Sequence, residues 1–166
     1  NNKKASWYYE IVAPGFKYNM PDLLAAIGIE QLKRVEEMSQ NRARIADRYS
    51  TELAGLPMRL PRSSRPRDEH SWHLYVIRLD LPRLAIDRNQ FIEELGTLGI
   101  GSSVHFIPLH LQPYWRDRYG LAPESFPRAT HAYQQALSLP IYPDLTDVQV
   151  SRIIEGVREV ALKYQR

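Results

Sequence analysis

The sequence predicts an α+β fold, one small sheet with helices packed on one face. Three observations predict it: a helical apolar stripe from Leu24 to Leu53, two strand-like runs at 73–79 and 100–106, and a second helical stripe from Val150 to Ala161. In order, the chain reads as long helix, strand, helix, strand, helix, short strand, helix.

Residues 1–20 carry no helical period and contain Ala13-Pro14-Gly15, so they read as an irregular arm. Pro21 suits the first turn of a helix, where its missing N–H costs nothing. Behind it, Leu24, Ile27, Val35, Met38, Ile45, Tyr49 and Leu53 recur at steps of three and four or their sums, and Gly55 and Pro57 stop the pattern. Unbroken, that helix would be roughly 50 Å long at 1.5 Å per residue. Such a length implies a bend or a connection between two domains. A Pro- and Arg-rich stretch, 57–68, reads as a surface loop. The run His73-Leu74-Tyr75-Val76-Ile77-Arg78-Leu79 has strand composition.

Asp87 with Gln90 forms a capping box that opens a helix bearing Phe91, Ile92 and Leu95 on one face, and Gly99 closes it in the left-handed conformation. Ile100 to Phe106 reads as a second strand, closed by Pro108. The Pro-rich, aromatic segment 108–126 reads as a long loop with a short helical turn at best. A helix is expected from Arg128 to Ala136 and a short strand at Leu137-Ser138-Leu139. Thr146 with Gln149 is a second capping box. It leads into the stripe Val150, Ile153, Ile154, Val157, Val160 and Ala161.

At 166 residues the chain is sized for one domain or one domain with an extension. Hydrophobic residues at 43% and charged residues at 25% supply a core and argue against disorder. The apolar stretches fall short of the roughly 18 residues of a membrane span. No secretory leader pattern opens the chain and no Met begins it, so the expectation is a cytoplasmic domain of a processed or truncated product. With no cysteine, disulfides, thiolate metal sites and a Cys nucleophile are excluded.

The formal net charge of +3 raises nucleic acid as a partner, but no recognisable motif or interleaved aromatics accompany Arg59, Arg62, Arg65 and Arg67. That cluster reads either as a solvated loop or as one that contacts anions. Of the five histidines, His70 and His73, three apart on an expected strand, point to opposite faces and make a poor metal pair. His105 and His110 flank Pro108 at a strand exit, a place where binding residues collect. Asn19 either caps the long helix or presents its amide where helix N–H groups attract phosphate, with Lys17 two residues before it.

Gly15-Phe16-Lys17-Tyr18-Asn19-Met20-Pro21-Asp22, followed by Ala25-Ala26-Ile27-Gly28 and Gln31-Leu32, resembles a signature of the DegT/DnrJ/EryC1/StrS sugar aminotransferases. The similarity continues through His70-Ser71-Trp72-His73-Leu74-Tyr75, Gly99-Ile100-Gly101, Val104-His105-Phe106 to His110, and Ser138-Leu139-Pro140-Ile141-Tyr142-Pro143-Asp144. The ordered set covers about residues 10 to 165 and is closest to the branch resembling UDP-4-amino-4-deoxy-L-arabinose aminotransferases.

The resemblance implies the small C-terminal domain of a type I pyridoxal-phosphate aminotransferase fold, with a few-stranded, mainly antiparallel sheet. The division it implies is an arm at 1–20, a connecting helix at 21–56 and the small domain at 57–166. The implied activity is transfer of an amino group, from an amino acid such as glutamate, to a keto sugar nucleotide for cell-envelope polysaccharide or lipopolysaccharide synthesis. The family's Schiff-base lysine lies in an N-terminal domain, and Lys3, Lys4, Lys17, Lys33 and Lys163 do not match its context. This portion is therefore expected to be inactive alone, without its own pyridoxal phosphate. By resemblance, Asn19 and Lys17 stand at cofactor-binding positions, although the family's Gly-x-Asn-x-Arg turn here reads differently. His110, His105 and Tyr18 stand at substrate-binding positions, with His110 preferred over His105. Trp72 and Tyr75 are expected in the core. The implied partners are the N-terminal pyridoxal-phosphate domain and a second copy of the chain, with no metal, nucleic acid or membrane. The alternatives are a non-catalytic binding module of the same fold and part of a pyridoxal-phosphate sugar dehydratase.

Overall fold

The computed structural model describes residues 13, 16, 18–62 and 70–166, and these divide into two units, Asn1–Val35 and Glu36–Arg166. The expected single long helix is instead two, α1 (Asp22–Leu32) and α2 (Val35–Glu52). The break falls on Lys33 and Arg34, where Arg34 N–H turns back to the Gln31 carbonyl at 3.0 Å and ends the i to i−4 ladder. Neither glycine nor proline marks that position, so the continuous stripe hides it. In the first unit α1 buries none of its residues, and Leu23, Leu24, Ile27, Ile29 and Leu32 are all exposed.

The second unit is built around a three-stranded antiparallel sheet, β1 (Met58–Arg59), β2 (Tyr75–Leu79) and β3 (Ala136–Leu139), with β2 in the centre. Along β2 the period of two is strict: Tyr75, Ile77 and Leu79 are buried, Val76 is half-buried and Arg78 exposed. The buried set joins Ile45, Ala46 and Tyr49 of α2, Phe91 and Leu95 of α3 (Arg88–Thr97), and the full 150–161 stripe of α6 (Asp147–Lys163) in one core. Both capping boxes form as expected, Asp87 with Gln90 and Thr146 with Gln149. Gly99 has φ +71° at the end of α3, where Arg152 Nη2 donates to the Leu98 carbonyl at 3.0 Å. Tyr49 and Tyr75 meet edge to face at 5.1 Å, and their hydroxyls bond to the Pro140 carbonyl (2.8 Å) and Ser50 Oγ (2.9 Å). Burial pushes both phenols above their ordinary value.

Three further expectations are corrected. Residues 100–106 do not form a strand. Only Ser103 pairs, in a single bridge to Ser138, because no second residue of that run finds a ladder partner. The 57–68 stretch contains β1, whose two residues pair with Leu79 and Arg78 and gain their strand character from that partner. The segment 108–126 is largely helical, with 3-10 turns at Leu109–Leu111 and Pro123–Ser125 and a helix α4 at Pro113–Tyr119. Pro113, Pro123 and Pro127 all stand at the starts of helical elements, including α5 (Pro127–Gln135), and Gly120 closes α4 at φ +59°. Among the described residues, no helix is long and apolar enough to cross a membrane.

Candidate functional site

The 103–111 segment is positioned from β3 outward. The bridge Ser103 N–H to Ser138 carbonyl (3.3 Å) and Ser138 N–H to Ser103 carbonyl (2.7 Å) ties its start to the sheet. Ser138 also holds His105: its hydroxyl lies 2.8 Å from His105 Nδ1. The serine is buried and the imidazole half-buried. With Nδ1 committed to Ser138, Nε2 is the nitrogen left to donate to or accept from a ligand. Phe106 meets the His105 ring edge-on at 4.9 Å, and Phe106, Ile107 and Leu109 are exposed around it. Ser102 Oγ, just before the bridge, is buried without a hydrogen-bond partner among the described residues. A buried hydroxyl in that state is a position that a bound polar group would satisfy.

His110 is placed differently. It is 5% exposed and stacks on Phe126 at 4.7 Å. Thr130 Oγ1 donates to the Pro123 carbonyl (3.0 Å), so it accepts from His110 Nε2–H at 2.9 Å. A neutral imidazole then carries its proton on Nε2 and keeps Nδ1 as an acceptor. His110 thus ties the 3-10 turn at Leu109–Leu111 to α5 through Thr130.

His70 and His73 precede β2 rather than lying on it, and both are exposed. His70 Nδ1 accepts from the Trp72 N–H at 2.9 Å and its ring lies 4.2 Å from the Trp72 indole. That turn holds Trp72 at φ +48°, an uncommon conformation for a bulky residue. Trp72 packs against the core and Tyr75 lies within it, as expected. No group of three His, Asp or Glu gathers as a metal site among the described residues.

In the first unit, Tyr18 and Asn19 are exposed in the irregular stretch before α1, and Lys17 lies outside the described residues. Asn19 does not cap α1: Pro21 stands at the N-cap and no side chain accepts from the first turn. The capping reading of Asn19 is therefore set aside, and its amide is uncommitted to the helix. Sequence reasoning gave Ser138 no role. The signal was a lone hydroxyl inside the apolar run Ala136-Leu137-Ser138-Leu139, whose meaning depends on the register with β2.

The two described lysines do not suit covalent attachment of a carbonyl cofactor. Lys33 pairs with Glu30, and Lys163 is held 2.8 Å from Glu94 with its ammonium pKa raised by that hydrogen bond. A lysine that forms an imine needs the opposite shift.

The model of the DegT/DnrJ/EryC1/StrS aminotransferase family matches residues 1–158. The chain belongs to this family. Its fold is shared with a putative sugar aminotransferase, Spr1654 of Streptococcus pneumoniae, in its PLP form. That likeness has a TM-score of 0.81 and 35% identity, over 95% of this chain and 40% of that one. Spore coat polysaccharide biosynthesis protein SpsC of Bacillus subtilis is 41% identical over 160 residues, 96% of this chain and 41% of that protein. Protein MJ1066 of Methanocaldococcus jannaschii is 43% identical over 159 residues, 96% of this chain and 41% of its own length. The chain thus spans about two fifths of the length of these relatives.

Proposed function

We propose that this chain supplies the C-terminal, substrate-contacting part of a pyridoxal-phosphate sugar aminotransferase. The enzyme would move an amino group from glutamate to a keto sugar nucleotide for a cell-envelope polysaccharide, in the cytoplasm. The family match across residues 1–158 carries this reading. The aminotransferase chemistry is the cofactor's when it is bound, on a lysine outside the residues described here. The relatives' greater length is consistent with that arrangement.

On this reading the chain binds and orients. His105 Nε2, with the ring fixed by Ser138, bonds a sugar hydroxyl or carbonyl, and the exposed Phe106 and Ile107 shield that contact from water. His110 holds the turn behind it as part of the substrate-binding segment. Asn19 offers an amide donor beside the N–H groups of the first α1 turn, and Lys17 and Tyr18 add a charge and a hydroxyl to the same stretch. The exposed apolar surface of α1 is the ground for proposing the N-terminal domain and a second copy of the chain as partners.

The test is incubation of the chain with pyridoxal phosphate, borohydride reduction and peptide mapping. The expected result is no stoichiometric lysine adduct. A single full adduct, at Lys17 above all, would overturn the division of labour. In the whole protein, His105→Ala and Asn19→Ala should each lower amino transfer to a keto sugar nucleotide by 10-fold or more. Sedimentation of the chain at high concentration should show self-association, and a clean monomer would count against the second copy.

A further inference from the structure

In the β1–β2 pair, Arg59 stands directly opposite Arg78. Side chains so paired start about 5 Å apart, and like charges in that position destabilise a sheet. Both guanidinium groups are exposed, and neither they nor Arg62 has a carboxylate partner among the described residues. Six other arginines of the second unit are engaged. Arg44, Arg48 and Arg116 pair with carboxylates, and Arg42, Arg152 and Arg158 donate to backbone carbonyls. Among the described residues, this sheet edge keeps two opposed arginines unneutralised with a third beside them, a local repulsion that an anion would remove.

Those three arginines line one cavity of about 710 Å³, together with Val76, Ala54 and Pro61. The volume is that of a small-molecule site, roughly 300–1,000 Å³, and well beyond what a lone inorganic ion fills. The strict alternation along β2 is what makes it amphipathic. Val76 and Arg78 share the face opposite the core, so an apolar patch and a guanidinium fork stand two residues apart on one strand. Planar guanidinium groups bind phosphoryl oxygens in pairs, with geometric as well as electrostatic preference.

We propose that this cavity binds a diphosphate ester, a small molecule with two adjacent phosphoryl groups on an apolar or aromatic body. Arg59 and Arg78 each take one phosphoryl group, their separation across neighbouring strands matching two linked phosphates. Arg62 closes over the charge, and Val76, Ala54 and Pro61 take the body. A sugar nucleotide is one source of this chemistry and a free nucleoside diphosphate is another. The cavity assignment rests on the arginine geometry and not on the aminotransferase reading.

Calorimetric titration of the chain with uridine diphosphate tests it without any activity measurement. Binding should weaken about tenfold in Arg59→Gln and again in Arg78→Gln, and it should fall as salt rises. Because both side chains are exposed, the variants should fold. Without ligand, Arg78→Gln should melt no lower than the parent chain, the opposed charges being gone. In the whole protein, a matching rise in KM for a sugar nucleotide identifies the substrate as the source. An unchanged KM with lost uridine diphosphate binding identifies a free diphosphate ester. Affinity unaltered by both substitutions would overturn the site, as would inorganic pyrophosphate binding as tightly as uridine diphosphate, which would leave the apolar wall without a role.

Discussion

Helices α1 and α6 are both rich in aliphatic residues, yet they end in opposite states. Helix α6 places Val150, Ile153, Ile154, Val157, Val160 and Ala161 on one side and buries all six. Helix α1 spreads Leu23, Leu24, Ile27, Ile29 and Leu32 around its circumference and buries none. A helix with one apolar stripe can complete itself against a single layer, whereas one apolar on every side needs covering from several directions. The α6 stripe finds its cover within the second unit. The first presents a surface that calls for further protein.

Substitution at the two helices should expose this difference. Ile154→Ala, in the core, should cost about 2–5 kcal/mol in urea denaturation of the chain. Ile27→Ala should change the same measurement by no more than about 0.5 kcal/mol, the usual size of a surface change. An equal loss at both positions would break the comparison. An effect smaller than that of Ile154→Ala but larger than that of Ile27→Ala is expected at Gly156, where an added Cβ would lie 2.2 Å from Ile100 Cδ1. Gly156→Ala should therefore cost about 1–3 kcal/mol by overpacking, and trimming the neighbour with Ile100→Val should recover part of the loss in the double variant. Thr146→Ala should lose about 1 kcal/mol with its cap. Asn19→Ala, at a helix with no side-chain cap, should leave thermal stability unchanged.

A slight effect is electrostatic. Hydrogen bonds from Lys163 and Tyr164 hold the Glu94 carboxyl below its ordinary 4.5. A carboxyl whose folded pKa is depressed adds stability that is full above its ordinary value and is lost as pH falls through the lower folded value. The Lys163 ammonium, raised by the same contact, loses its share only as pH rises beyond the ordinary lysine range. Glu94→Gln should flatten the acid-side dependence of the urea midpoint below about pH 4.5 and leave neutral pH nearly unaffected, since the pair is solvent-exposed.

Legibility in the sequence followed how local each determinant is. Capping boxes, the Gly99 terminus and the α6 stripe depend on residues within a turn or two of each other, and the chain folds as they direct. The 100–106 run has strand composition, but pairing needs a neighbour, and only Ser103 has one. The prolines of the 108–126 segment suggest a loop because each forbids a helix behind it. In the folded chain each opens one ahead, a role that the same fixed φ favours. Within the candidate site, His105 stood out through its motif and its place beside Pro108. Its partner Ser138 lies 33 residues away and is brought there only by the bridge to Ser103. The opposition of Arg59 and Arg78 was equally out of reach, since it exists only in the register of β1 on β2.

Strand β3 has four residues, and along it Ser138 alternates with Leu137 and Leu139. A shift of one residue against β2 would invert that alternation, turning a hydroxyl into the core and two leucines away from it. The orientation of the His105 ring is therefore tied to a choice of frame made at the α5–β3 junction, where Gln135 passes directly into Ala136 with no loop to absorb a change in length. A single inserted or deleted residue there would detach the imidazole from its anchor without touching either partner, which makes the junction far less tolerant of length variation than of substitution.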